Sequence, residues 1–448
     1  MRLTWMIGFL FIVGCTGAPL TDVSLPTRSL AQEAPTFQAP ADPFAEVKRP
    51  TKVEPTGNLS LPQALALALL HNPQLEAYAW HWRSQEAAIL QNHLSPNPML
   101  GLKVENFGGQ DMLQGFDGAI STLRISQAIE LGDKRIKRTQ LAQRKHALAA
   151  WDYEAQRLRV ITVTGYGYID ALAAQHQVAL AGQALALTEG LYDIIKNRTT
   201  QGIVPTVEQD KALVQVSARQ IDLENQNRQL ATLRQKLATQ WASSAAQYKQ
   251  LIGDIHDIQD LPTYDSLLQR IEQNPELARW ATEISARQAA IELADAGAIP
   301  DLTLGAGLRR FNTTDNHALV FELGIPLPLV NRNQGAKRQA RYDLQQTRAL
   351  QRHAQTTAHA TLYEMYQTLN AKHYAAITLR HQSLPAARAA FDTAHKAFTQ
   401  GITDYLHVLD AERTLVATEH DSIVALAAYH KTLISLESFL GISLTTDF

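Results

Sequence analysis

Fifteen histidines and one cysteine are the side chains here best suited to metal binding or nucleophilic chemistry. Eight of the histidines fall between His353 and His430. A helix presents two imidazoles to one metal when they are four residues apart with an acid nearby. These histidines do not follow that pattern; His353 and His359, for example, are six apart. They read as solvated positions on helix faces. The lone Cys15 excludes a disulfide framework and any zinc site built on cysteine pairs. Gly165-Tyr166-Gly167 lacks the third glycine and the preceding strand of a dinucleotide loop. No nucleophile elbow, phosphate loop or zinc-protease helix motif is present. The sequence therefore predicts no enzyme, no cofactor and no metal centre.

The elements that carry these residues belong to a folded, exported chain. The 448 residues are 45% hydrophobic, which excludes global disorder, and 41 basic against 43 acidic residues give no basic excess for nucleic acid. No run reaches the ~18 consecutive apolar residues of a spanning helix, so an α-helical membrane protein is not expected. Arg2 precedes an almost wholly apolar run from Leu3 to Val13, the length of a signal-peptide core. Ile12-Val13-Gly14-Cys15 resembles a bacterial lipobox, in which the peptide is cut before the cysteine and its thiol carries diacylglycerol. The alternative is cleavage after Ala18. Thr16, not Asp, follows the cysteine, which by resemblance to sorted lipoproteins implies the outer membrane. Residues 1–14 are thus read as signal peptide. Residues 15–57, with seven of the eighteen prolines, are read as a tether from the lipidated Cys15.

The rest is an internal duplication. Asn72-Pro73-Gln74-Leu75 returns as Asn274-Pro275-Glu276-Leu277, 202 residues on. Ala87-Ala88, Pro98, Leu100 and Leu102 find their counterparts at the same displacement. Gln201-Gly202-Ile203 returns as Gln400-Gly401-Ile402. The repeats are 58–255 and 256–448. Each is expected to hold a helix of about 35 residues (61–94 and 264–297). Two strands come next (100–107 and 119–129; 302–310 and 318–325), then two long helices meeting at the Gln-Gly-Ile turn.

The strands are read from period two. Leu302, Leu304, Ala306 and Leu308 share one face, with Thr303, Gly305, Gly307 and Arg309 on the other. The helices are read from their length and their sevens: Val216, Leu223, Leu230 and Leu237, and again Leu426, Leu433 and Leu440. Residues 134–200 as one helix would extend on the order of 100 Å. Four amphipathic strands fit either two hairpins on a soluble core or part of a membrane barrel with a polar lumen. In lipid the sheet must close, and the smallest single-chain barrels have about eight strands. Closure then requires several copies; three give twelve strands and a pseudo-sixfold ring.

Taken together, Leu59-Ser60-Leu61-Pro62-Gln63-Ala64-Leu65 with Asn72-Pro73, the run Ile125 to Arg135, Asn331-Arg332-Asn333-Gln334-Gly335, and Val408-Leu409-Asp410-Ala411 resemble the TolC-like outer-membrane efflux proteins. The resemblance covers about residues 59–441. Glu130-Leu131-Gly132-Asp133-Lys134-Arg135 is similar to the branch exporting divalent heavy-metal cations. The resemblance implies a mainly α chain with a transmembrane β part. It implies a homotrimeric outer-membrane β-barrel with four strands per chain, continued by a long α-helical coiled-coil barrel in the periplasm. It implies a passive exit duct, partnered by an inner-membrane RND-type pump and a periplasmic adaptor. Duty as a multidrug, organic-solute or type I secretion exit, or as a periplasmic coiled-coil scaffold lipoprotein, remains the alternative.

The same resemblance places an adaptor-contact tip at Gly202, Ile203, Gly401, Ile402 and Asp404. It places a periplasmic gate at Asp410, with His407 standing where relatives carry a second aspartate. Two readings of His407 stay open: part of a pH- or metal-sensitive girdle with Asp410, or a solvated packing histidine.

Overall fold

The computed structural model describes residues 25–42, 44 and 52–444. The proposed signal peptide and Cys15 lie outside the described residues. Two compact units are distinguished, and both repeats contribute to each. One comprises residues 84–149 and 281–349; the other comprises 25–83, 150–280 and the chain from 350 onward.

In chain order the elements are β1 (Asn58–Leu59), α1 (Leu61–His71), α2 (Pro73–His93), β2 (Met99–Glu105), β3 (Ile120–Ile129), α3 (Lys134–Thr200) and α4 (Thr206–Ala238). Then come β4 (Gln250–Leu251), α5 (Tyr264–Leu268), α6 (Pro275–Ala296), β5 (Leu302–Phe311), β6 (Asn316–Gly324), α7 (Gln334–Thr378), α8 (Leu384–Thr399) and α9 (Tyr405–Leu440). Of the described residues, 66% are helical.

The opening helix of each repeat is not the single 35-residue rod that its pattern predicts. Each breaks at the repeated Asn-Pro. Proline disfavours helical geometry in the residue before it, and Asn72 (ψ 120°) and Asn274 (ψ 124°) leave the helix there. Each asparagine then caps the helix that begins at its proline. Asn72 Oδ1 accepts from the N–H groups of Gln74 and Leu75 at 3.0 and 3.1 Å, and Asn274 Oδ1 from Leu277 at 3.0 Å. Their amides reach distant carbonyls, Gln240 at 2.9 Å and Phe439 at 2.6 Å. The repeated motif is a built corner. A second interruption, a wider π-type turn over Leu379–Ser383, joins α7 to α8. Pro385 comes just after it; proline removes one helix donor and crowds the preceding turn.

In the first unit the two hairpins form one antiparallel sheet in the order β2-β3-β5-β6. Leu102, Leu123, Leu308 and Leu319 stand in one register row. That apolar face is uncovered: Leu102 is 70% exposed and Phe321 80%. On the opposite face Arg124 and Glu322 form an ion pair across β5. Gly305 and Gly307 lie beneath them, and a side chain on Gly307 would meet the Leu123 carbonyl at 2.5 Å. The turn from β3 into α3 uses left-handed backbone at Gly132 (φ 69°) and Asp133 (φ 57°). Asp301 holds that corner, accepting from Lys134 Nζ at 2.6 Å and from the Leu131 N–H at 3.2 Å. Glu130 pairs with Arg138.

The second unit is helical and carries the buried seams. Leu426, Leu433 and Leu440 are buried, as are Val216 and Leu237. Stretches of α3 and α9 are long and apolar enough to cross a membrane by length and composition, 33% and 50% buried respectively. Composition alone therefore does not exclude helical spans, although the sequence led to that expectation. In α9 the seven-residue spacing of Leu426, Leu433 and Leu440 accounts for that apolar content as helix packing.

Part of the expected tether is packed in this unit. Leu30, Phe37 and Ala39 are buried in a cluster with Leu65, Leu69 and Ile161. A buried ion pair, Glu154–Arg157 at 2.8 Å, clamps the segment. Glu154 accepts from the Arg28 N–H at 2.8 Å, and Arg157 donates to the Arg28 carbonyl at 3.1 Å. Tyr153 donates its hydroxyl to the Phe37 carbonyl. Irregular chain has to find hydrogen-bond partners outside itself when buried, and these side chains supply them.

Candidate functional site

The tip and gate residues singled out by the sequence lie at or just beyond the two helical turns. At each turn the first helix ends on a left-handed glycine, Gly202 (φ 74°) and Gly401 (φ 77°). Nothing lies within 4 Å of where a side chain would begin at either, so backbone geometry alone calls for glycine. The hydrogen bonds of the two turns match. Ile203 and Ile402 each donate to the carbonyl five residues back, Arg198 and Ala397, at 2.9 Å. Both glycines donate three back, also at 2.9 Å. This is the Schellman helix end. It leaves Ile203 (67% exposed) and Ile402 (75% exposed) standing outward.

The two turns are tied together. Arg198 Nη2 donates to the Phe398 carbonyl at 2.8 Å and the Thr399 carbonyl at 3.2 Å, with its guanidinium over the Phe398 ring. A cation there suits the negative end of α8. Deeper in, the buried Glu412 accepts from Thr188 at 3.0 Å and from Arg219 at 3.1 Å. The nearby Tyr405 hydroxyl is pushed up to about 12 by burial, with Glu412 adding to the shift. Sequence pattern gave no sign of Arg198 or Glu412. Their partners lie about two hundred residues away, and neither sits in a local motif.

Asp404 is the N-cap of α9: its carboxylate accepts from the His407 N–H at 3.2 Å. The His407 ring Nδ1 lies 2.6 Å from the same oxygen. His407 thus contacts Asp404 within the chain. Asp410 is exposed on the following turn and makes no side-chain ion pair among the described residues. No group of three or more His, Cys, Asp or Glu side chains arranged to hold a metal occurs among the described residues. The arrangement offers exposed carboxylates and two exposed isoleucines at the turns.

The model for outer membrane efflux proteins matches residues 64–243 and 267–442, one match in each repeat. The chain belongs to the outer membrane efflux protein family. This efflux protein is 29% identical over 392 residues to the cobalt-zinc-cadmium resistance protein CzcC of Cupriavidus metallidurans, covering 87% of this chain and 91% of that one. It is 25% identical over 285 residues to the nickel-cobalt-cadmium resistance protein NccC of Alcaligenes xylosoxydans, 62% of each. Among solved structures, CusC shares the fold at a TM-score of 0.67 and 17% identity, over 92% of this chain and 99% of CusC. The efflux protein is accordingly an outer-membrane efflux channel with metal-resistance relatives.

The Asp404 contact makes the start of α9 acid-sensitive. The His407 side-chain hydrogen bond, followed by its backbone N–H, holds the Asp404 carboxyl below its usual range. A depressed folded-state pKa gives a contribution present above the unfolded value and lost as pH falls through the folded one. Protection of the His407 amide from hydrogen exchange, corrected for intrinsic rate, should hold at pH about 5 and decline below about 4. Protection that does not change down to pH about 2 would contradict the cap.

Proposed function

We propose that three copies of this chain close a twelve-stranded barrel in the outer membrane and form a passive exit duct for divalent heavy-metal cations. The observation that carries this reading is a sheet with an uncovered apolar face and two unpaired edges, β2 and β6. Every neighbouring pair in the order β2-β3-β5-β6 is antiparallel. It follows that β6 of one copy meets β2 of the next antiparallel as well, and the ring closes without a change of direction. Three copies supply twelve strands, an even number above the minimum of about eight. The alternation of apolar outward and polar inward residues fits lipid outside and water inside.

The long helices continue the duct into the periplasm, where an adaptor and an inner-membrane RND-type pump engage the hairpin tips at Gly202, Ile203, Gly401, Ile402 and Asp404. Acylation at Cys15 adds a lipid anchor. Support for metal cargo comes from the resistance proteins CzcC and NccC, named for cobalt, zinc, cadmium and nickel. Asp410 supplies one carboxylate per copy to the closed tip, and such a ring draws and retains cations.

Deleting the gene should sensitise cells to zinc, cobalt or cadmium at exposures that leave drug tolerance unchanged. Sensitivity to organic drugs appearing first would reassign the cargo to organic solutes. In planar bilayers Asp410→Ala should raise the resting conductance of the purified protein. An unchanged resting conductance removes Asp410 from the gate.

A further inference from the structure

Charge on the polar face of the sheet is unevenly paired. The strands place three bases there, Lys103, Arg124 and Arg309, and two acids, Glu105 and Glu322. Lys103 is held by Glu105 at 2.7 Å, and Arg124 is paired with Glu322 over the Gly305–Gly307 bed. Arg309 is left over. Its Nε donates to the Thr122 hydroxyl at 3.1 Å, and no carboxylate lies within ion-pair distance among the described residues. Asp315, on the neighbouring turn, is engaged by Arg310 at 2.9 Å. Asp111 and Asp117, in the loop between β2 and β3, make no ion pair with Arg309 among the described residues.

A hydroxyl positions a guanidinium without neutralising it. Thr122 is itself buried at 5% exposure, so Arg309 is held from below by a group that carries no charge.

We infer that Arg309 tempers the cation preference of the duct, forming a ring of unpaired charges in the barrel lumen that raises the passage of anions relative to free cations. This rests on the channel reading above. Twelve strands ~4.8 Å apart and tilted ~40° close at a backbone radius of roughly 12 Å. A guanidinium reaching ~5 Å inward then stands about 7 Å from the axis, inside the Debye length of about 8 Å at physiological salt. The three charges act on every ion that passes.

The test is the reversal potential of the full-length protein in planar bilayers under a potassium chloride gradient. Arg309→Gln should lower the chloride-to-potassium permeability ratio by roughly twofold or more. Arg309→Lys, which keeps the charge, should leave it near the wild-type value. Arg310→Gln, one residue on and facing the opposite side, should also leave it unchanged. A conducting Arg309→Gln channel with the wild-type ratio overturns the inference while the duct stands. Equal shifts from Arg309→Gln and Arg310→Gln overturn the assignment of faces. Wild-type protein that never conducts removes the duct itself, and the ring with it.

Discussion

A peptide N–H or C=O without a partner costs several kcal/mol in hydrocarbon, and a sheet in a bilayer must therefore have no edge. The proposed duct answers to that constraint. Four strands from one chain leave edges at β2 and β6, and no rearrangement within four strands closes a barrel. The chain meets the constraint in the proposed duct by repetition: duplicated within itself, then multiplied around an axis. The tandem repeat supplies two equivalent hairpins, and the antiparallel β3–β5 pairing joins them.

Within one chain the apolar surface is divided between two environments. The sheet turns Leu102, Leu319 and Phe321 outward, where a soluble protein would cover them. The helical unit buries Leu426, Leu433 and Leu440 between helices. One composition serves both because the periods differ. Alternate residues face one side of a strand, and every third or fourth residue faces one side of a helix. The sheet's two glycines show the constraint at its tightest. Gly305 and Gly307 give up side chains so that Arg124 and Glu322 can meet across β5.

Much of this was legible in the residues. The alternation at Leu302–Leu308 located β5, and the period-two segment 318–325 located β6. The two Gln-Gly-Ile turns located the hairpin ends, because a left-handed C-terminal residue selects glycine. The breaks at Asn72 and Asn274 were written as Asn-Pro, yet they sat inside helical periodicity that runs on past the proline. Leu30, Phe37 and Ala39 were hidden because a proline-rich segment has no period from which burial can be read. Arg198 was hidden for another reason: its partners, the carbonyls of Phe398 and Thr399, carry no side-chain signature. The functional region divides the same way. The Asp404–His407 contact was within reach of an i,i+3 spacing. The lone charge of Arg309 needed the register of three strands before its lack of a carboxylate partner could be seen.

The claim on which the account stands is that β2 and β6 find their missing partners in neighbouring copies. Amide hydrogen exchange of the protein extracted in mild detergent addresses it strand by strand. The account predicts that outward-pointing amides of β2 and β6 exchange as slowly as those of the interior strands β3 and β5. Rapid exchange confined to β2 and β6, in a particle with the mass of a single chain, would contradict it.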